Sequence, residues 1–291
     1  MPPTGFIGGL PLPYVLCPRP KMKVTKNVCD TYPRHWIVPT GINNEDLKQG
    51  APYRFHSRLP LVVWRHPKNG AVLIRSSQPS PGIWGWRNEW DEKLLRNCLT
   101  ASSGRSAHRR SANSSSAAPT HTTLLNGSGG VPNGSTPSIT ANGTSPTESQ
   151  STTPVSLSGV KPLLVLDARS YAAAWANRAK GGGFETPEYY QNCEVQFLGL
   201  ANIHAIRSSF QQLRTLLSTE SPDNSTFLQN LQTCGWLQHV SSLLKTAVGA
   251  AEALADLRRS VLVHCSDGWD RTAQIVSLAK LILDPHYRSM R

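Results

Sequence analysis

About sixty consecutive residues in the middle of this chain cannot contribute to a packed core. From Ala101 to Val160 the sequence is mostly Ser, Thr, Asn, Gly and Pro, with Glu148 as its one acidic residue and Arg105, Arg109 and Arg110 as its basic ones. Such a segment buries too little apolar surface to offset the entropy lost on ordering, so 101–160 reads as a disordered insert. It accounts for much of the low hydrophobic fraction, 38% over 291 residues. Three Asn-Gly-Ser/Thr triplets begin at Asn126, Asn133 and Asn142, and in a tract of these letters they read as chance matches to a glycosylation signal. The foldable sequence is therefore split into 28–100 and 161–291. Met1–Asn27, rich in proline, reads as poorly ordered.

The two foldable stretches differ in pattern. Before the insert, short β-rich runs dominate: Trp36-Ile37-Val38, Leu61–Trp64 and Ala71–Ile74, the last two joined by the hairpin signal Asn69-Gly70. The Trp-rich stretch Trp84, Trp86, Trp90 then leads into a helix around Asp91–Leu95. After the insert, strand and helix alternate. Leu163–Leu166 is a continuous apolar run ending at Asp167, the mark of a buried parallel strand. Ser170 is placed to cap a helix running to Lys180, stopped by Gly181-Gly182-Gly183. Glu194–Leu200 reads as a strand. Ile206, Phe210, Leu213 and Leu217 mark one helical face. Trp236, Val240, Leu243, Leu244, Ala247, Ala251 and Leu254 mark another. The strand Val261–Val263 and a helix from Thr272 to Leu283, ended by Pro285, complete an α/β sheet flanked by helices, interrupted by the insert.

The formal charge of +12 is concentrated in residues 1–100, which hold 14 Lys+Arg and 6 Asp+Glu. That excess suits an anionic partner such as a cytoplasmic membrane face. No nucleic-acid motif or basic aromatic helix accompanies it, so no nucleic-acid partner is expected. The six cysteines contain no C-x-x-C pair, which implies neither a disulfide framework nor a metal site and fits reduced, cytosolic thiols. Pro11 and Pro13 interrupt the apolar start, which argues against a signal peptide. No run approaches the length of a membrane span.

The chemistry is concentrated in His264-Cys265-Ser266-Asp267-Gly268-Trp269-Asp270-Arg271-Thr272. An apolar strand feeds a loop of the form Cys-x5-Arg that opens directly into an apolar helix. A thiol of pKa ~8.5 falls to ~3.5–7.5 at a helix N-terminus near positive charge. A tight turn at a helix N-terminus also presents backbone N–H groups to an anion. Arg271 supplies a planar bidentate fork for phosphate. Asp270 or Asp267 can give a proton to a leaving alkoxide. His264 either orients the loop or packs, and Trp269 either walls the pocket or packs. On these residues the site is that of a cysteine-dependent phosphatase needing no metal or cofactor.

HCSDGWDRT resembles the active-site loop of the myotubularin family, phosphatases that remove the 3-phosphate from phosphatidylinositol 3-phosphate and phosphatidylinositol 3,5-bisphosphate. The stretches VCDTYPRHWIVP at 28–39, WGWRN at 84–88, LDARSYAAAWANRAKGGGFE at 166–185, ANIHAIRSSF at 201–210 and LILDPHYRS at 281–289 agree with it. The wording around 163–214 and WGWRN is most similar to the subgroup that also carries a FYVE lipid-binding finger. The resemblance implies a large variant of the protein-tyrosine-phosphatase-type fold. It also implies that Cys265 is the nucleophile of a phosphocysteine intermediate, that Arg271 clamps the phosphate and that Asp270 is the general acid. Residues 265–271 (Cys265, Ser266, Asp267, Gly268, Trp269, Asp270, Arg271) would enclose the phosphate, and Asn177, Asn202 and Ile203 would line the inositol pocket. Read without the resemblance, Asn177 and Asn202 serve equally well as local caps.

The expected partners are phosphoinositides at endosomal or other intracellular membranes, and other chains of the family. A protein-tyrosine or dual-specificity phosphatase, and a non-catalytic regulatory or lipid-binding protein, are the alternatives. Met1–Lys26 does not resemble the family's amino-terminal lipid-binding domain, and family members continue past the catalytic helix. The chain is therefore expected to be a fragment in which the last helix shows an uncovered apolar strip.

Overall fold

The computed structural model describes residues 14–18, 28–33, 35–112, 161–218 and 224–289. Most of the expected insert, from 113 to 160, and its three glycosylation-like triplets lie outside these residues. Its first part does not. The helix α2 spans Glu89–Ala112, twelve residues past the expected boundary, and Ala101 is buried on it. Asn88 starts this helix by accepting the Asp91 N–H at 2.9 Å, and Leu94, Leu95, Cys98 and Leu99 bury one face. Helix propagation adds one hydrogen bond per residue fixed, so a helix anchored by four buried residues can extend beyond its apolar face. At the other end, β1 (Tyr14–Pro18) lies inside the segment expected to be poorly ordered. It pairs antiparallel with β2 (His35–Pro39), Leu16 opposite Ile37, using an edge that would otherwise leave backbone groups unpaired.

The central sheet has five strands in the order β3-β4-β7-β5-β6. The hairpin β3 (Leu61–Arg65) and β4 (Val72–Arg75) is antiparallel, and Gly70 at its turn takes φ +82°, open to glycine but strained for other residues. The neighbouring Asn69 donates its amide to Leu254 O at 2.8 Å and accepts the Ala71 N–H at 2.8 Å. The parallel part is built from β5 (Leu163–Asp167), β6 (Cys193–Phe197) and β7 (Val261–His264). The glycine-stopped helix α3 (Tyr171–Arg178) connects β5 to β6, and the Ser170 hydroxyl accepts the Ala173 N–H at its start. The strand expected at 194–200 is shorter than its apolar run, because Leu198 and Leu200 instead bond back to Asp167 O and Ala168 O.

Strand alternation divides the core into two layers. Val72, Ile74, Leu163, Val165 and Leu262 face the layer holding α1 (Asn44–Gly50) and α2. Leu73, Leu164, Leu166, Val261 and Val263 face α6 (Trp236–Ala255) and α7 (Arg271–Leu283). Two helical faces differ from expectation. In α6 the expected Ala247, Ala251 and Leu254 are buried, joined by Ala250 and Ala253, while the expected Val240 and Leu244 are exposed beside Leu237 and Val248. In α4 (Ile203–Ser218) Phe210 and Leu217 are exposed, and the buried side chain is Ser209, which donates to Cys234 O. Helix α5 (Asn224–Thr233) lies between them in sequence. Helix α7 buries Ile275, Val276 and Ala279 and exposes Leu281 and Ile282. No helix among the described residues is long and apolar enough to cross a membrane.

Leu262 is fully buried at the centre of the sheet. Leu262→Ala removes its packing and leaves a cavity, a change that costs about 2–5 kcal/mol against a total of ~5–15. The urea midpoint should fall sharply, and an unchanged midpoint would show that this strand is not part of the cooperative core.

Candidate active site

The site lies beyond the carboxyl ends of β5 and β7, where Asp167 and His264 stand opposite each other in the parallel register. Ligand crevices in open α/β sheets form at such ends. The loop Cys265–Asp270 leaves β7 and enters α7 at Arg271, one residue earlier than the expected helix start.

The loop is shaped by what binds its carbonyls. Cys265 O faces His264 Nδ1 at 3.2 Å, Ser266 O accepts the Gln78 N–H at 3.0 Å, Asp267 O accepts Arg58 Nη1 at 2.7 Å and Gly268 O accepts Arg75 Nη2 at 2.6 Å. Four consecutive carbonyls are thus held by groups outside the loop, leaving its N–H groups for the interior. One of them, Gly268 N–H, donates to Cys265 Sγ at 3.3 Å. Gly268 has φ +73°, and a Cβ there would overlap Ser76 O, so only glycine allows this close approach.

Cys265 is buried, which by itself raises a thiol pKa. The hydroxyl and N–H of Thr272, the Gly268 N–H and the Arg271 charge outweigh burial and hold this thiol below its ordinary value. Thr272 Oγ1 is buried with no fully formed hydrogen bond among the described residues, so its proton is available to the sulfur. Arg271 donates Nη1 to Leu200 O at 3.1 Å, while its Nε is buried and unpartnered among the described residues. A buried donor without a partner is one that a bound anion can satisfy.

Behind the loop runs a chain of buried charges. Arg54 grips Asp91 of α2 at 2.9 and 2.7 Å and reaches Glu185 at 2.7 Å. Glu185 Oε2 lies 3.0 Å from His264 Nε2, an ion-pair contact with poor hydrogen-bond alignment. Burial lowers the His264 pKa, but the charges of Glu185 and Asp167 outweigh it and the value is raised. Burial likewise raises that of Glu185, and the charges of His264 and Arg54 bring it well below the carboxylate range. Arg169 pairs bidentately with Asp167 and donates to Gln78 Oε1 at 2.5 Å, which fixes the residue whose N–H holds Ser266 O. Of the two readings of His264, the structure shows the orienting contact.

The remaining expected site residues are placed as follows. Ser266, Asp267, Asp270 and Arg271 are half-buried around the loop, whereas Trp269 is 63% exposed. Asp267 Oδ1 lies 3.2 Å from His56 Nε2, and Asp270 Oδ1 accepts the Gln274 amide at 2.7 Å. Asn177 donates to Ala173 O and lies 3.5 Å from the Gln78 amide, which brings it next to the loop's support. Asn202 caps α4 by accepting the N–H groups of His204 and Ala205, and Ile203 is exposed at the start of that helix, two and three residues beyond the carbonyl that holds Arg271. Arg54, Arg58, Arg75, Asp91 and Glu185 were not singled out by sequence reasoning. No group of three metal-ligating side chains occurs among the described residues, and Cys29, Cys98, Cys193, Cys234 and Cys265 stand outside any disulfide.

A mixed sheet whose central parallel strand delivers a Cys-x5-Arg loop into a helix defines the cysteine-phosphatase type of fold. Within it, residues 21–291 match the family described as "Myotubularin-like phosphatase domain", and the chain belongs to that family. It is 46% identical over 271 residues to phosphatidylinositol-3,5-bisphosphate 3-phosphatase MTMR4 of Xenopus laevis, covering 90% of this chain and 23% of the relative. It is 41% identical to phosphatidylinositol-3,5-bisphosphate 3-phosphatase MTMR3 of Caenorhabditis elegans, covering 91% and 21%. With myotubularin of Xenopus tropicalis it shares 34% identity, covering 92% and 35%. The chain thus spans about a fifth to a third of the length of these relatives.

Two measurements test this electrostatic account. Thiolate absorbance, taken as the difference from Cys265→Ser, should titrate below the ~8.5 of a free thiol. Thr272→Val and Arg75→Met should both move the midpoint upward; an unmoved midpoint in both would remove the hydroxyl and the carbonyl clamp from the argument. The Glu185–His264 pair has a defined pH signature. Glu185, with its pKa lowered, stabilises the fold above its unfolded value of ~4.3, and His264, with its pKa raised, does so below ~6.5. The stability lost in Glu185→Gln should therefore be largest between about pH 4.3 and 6.5 and shrink as pH rises through the His264 pKa. A loss independent of pH would show the contact is not ionic.

Proposed function

We propose that this chain is the catalytic part of a phosphoinositide 3-phosphatase acting on phosphatidylinositol 3-phosphate and phosphatidylinositol 3,5-bisphosphate. The observation that carries the phosphatase reading is the loop itself: a thiol held below its normal pKa inside a turn four of whose carbonyls are held from outside. The substrate class rests on the printed activities of the MTMR4 and MTMR3 relatives.

In this mechanism the Cys265 thiolate attacks the phosphorus. A P–S bond forms as the P–O bond to the inositol 3-oxygen breaks, and Asp270 gives that oxygen its proton. The loop N–H groups and the Arg271 guanidinium hold the transferring oxygens. Water then attacks the phosphocysteine and passes its proton to Asp270 as the P–S bond breaks, returning the thiolate and inorganic phosphate. Asp270 suits this role better than Asp267, which is held at the rim by His56. Ser266, Asp267, Gly268 and Trp269 complete the phosphate enclosure, with Asn177, Asn202 and Ile203 on the inositol side. No cofactor takes part. We infer that the protein works at the cytoplasmic face of endosomal or other intracellular membranes, where its basic excess would meet anionic lipid, and that it associates with other chains of its family.

The test is phosphate release from the two 3-phosphorylated lipids, the 4- and 5-monophosphates and a phosphotyrosine peptide. The 3-phosphorylated lipids should lead, and Cys265→Ser should abolish turnover because a hydroxyl is a poor nucleophile at its normal pKa. A general acid contributes ~10²–10⁴-fold, so Asp270→Asn should slow lipid turnover by that order and barely affect an aryl phosphate. Preference for the peptide would indicate a protein phosphatase, and equal losses on both substrates would make Asp270 structural.

A further inference from the structure

The segment that supports the catalytic loop continues into an unusual surface feature. Gln78 holds Ser266 O through its N–H, and four residues later begins a turn whose tip is Ile83-Trp84-Gly85-Trp86. Trp84 is 85% exposed and Ile83 and Trp86 are each 67% exposed. Their exposure does not reflect a slack backbone. Trp86 N–H donates to Pro81 O at 2.7 Å, Gly82 N–H to Gly182 O at 3.2 Å and Gly85 N–H to Gly82 O at 3.4 Å. Tyr53 OH donates to Trp86 O at 2.8 Å and Arg178 Nε to Gly82 O at 2.9 Å. Gly82 and Gly85 both adopt positive φ, as the sharp turn requires. Two hydrogen bonds within the turn and three from outside it fix the backbone, while its three largest apolar side chains stay in water.

The chemistry around the turn identifies what they meet. Arg178, which holds Gly82, also lies over the Trp175 ring at 4.9 Å, and Trp175 is itself exposed. Lys180 is exposed two residues further on. Aromatic residues beside cations, next to a site that takes an anionic substrate, match the boundary of an anionic bilayer, where indole rings sit among headgroups and basic side chains pair with lipid phosphate. A protein partner would be expected to demand a complementary pocket; a bilayer demands only projecting apolar side chains with positive charge behind them.

We propose that the turn Ile83–Trp86, backed by Arg178 and Lys180, inserts into the interface of an anionic membrane and holds the catalytic loop against it. The proposal rests on the lipid-phosphatase reading of the site and adds the element that docks. It is tested with the full chain and vesicles of phosphatidylcholine and phosphatidylserine without phosphoinositide, so that affinity of the catalytic pocket plays no part. The double variant Trp84→Ala/Trp86→Ala should bind these vesicles at least about tenfold more weakly, since partial burial of two indole rings is worth more than the ~1.4 kcal/mol that a tenfold change requires. It should hydrolyse a dispersed short-chain phosphatidylinositol 3-phosphate like the wild type and keep its melting temperature. Vesicle binding equal to the wild type overturns the proposal, as does loss of self-association by sedimentation with unchanged lipid binding. A wild-type chain that binds the vesicles but hydrolyses neither vesicular nor dispersed lipid leaves the docking turn standing and overturns the phosphatase reading instead.

Discussion

Arg54 is the residue on which the rest of this arrangement depends. It is buried, it belongs to the stretch before the insert, and its guanidinium joins Asp91 of α2 to Glu185 after α3. Glu185 in turn faces His264, and His264 faces the carbonyl of Cys265. Residues 54, 91, 185 and 264 are far apart in sequence, so the chain of charges can form only when both halves of the fold are assembled. Burying four ionisable groups carries a desolvation penalty of several kcal/mol per ion, and only full pairing offsets it. Removing one partner strands the others, at a cost of about 3–5 kcal/mol. The fold therefore couples its integrity to the geometry of the loop.

That coupling explains how a buried sulfur comes to have a lowered pKa. Desolvation works against the charge. The opposing contribution comes mainly from hydrogen-bond donors: the Thr272 hydroxyl, two backbone N–H groups and, less strongly, the Arg271 charge. Backbone donors act only if they point inward, and they point inward because the carbonyls are held outward by Arg58, Arg75, Gln78 and His264. The same inward N–H groups are what a phosphate oxygen would meet. One set of external contacts thus shapes both the surroundings of the sulfur and the inward N–H groups, with no separate device for either.

The loop and the parallel strands were legible because their signals are local. Leu163–Leu166 and Val261–Val263 are continuous apolar runs, and Cys265, Gly268, Arg271 and Thr272 have a spacing that only a strand–turn–helix satisfies. Arg54, Arg75 and Glu185 were not legible, since an isolated charge in a sequence reads as surface, and its burial depends on partners up to 131 residues away. Helix α6 shows a third kind of limit. The expected face joins Val240 and Leu244 to Ala247, Ala251 and Leu254. The structure buries only its alanine-rich end, with Ala250 and Ala253 added, and leaves Val240 and Leu244 exposed. Small side chains let a helix approach its neighbour closely, and here the neighbour is α7, whose first turn carries Arg271 and Thr272. The placement of Arg271 thus leans on small residues of that face, which hydrophobicity alone ranks below Val240 and Leu244.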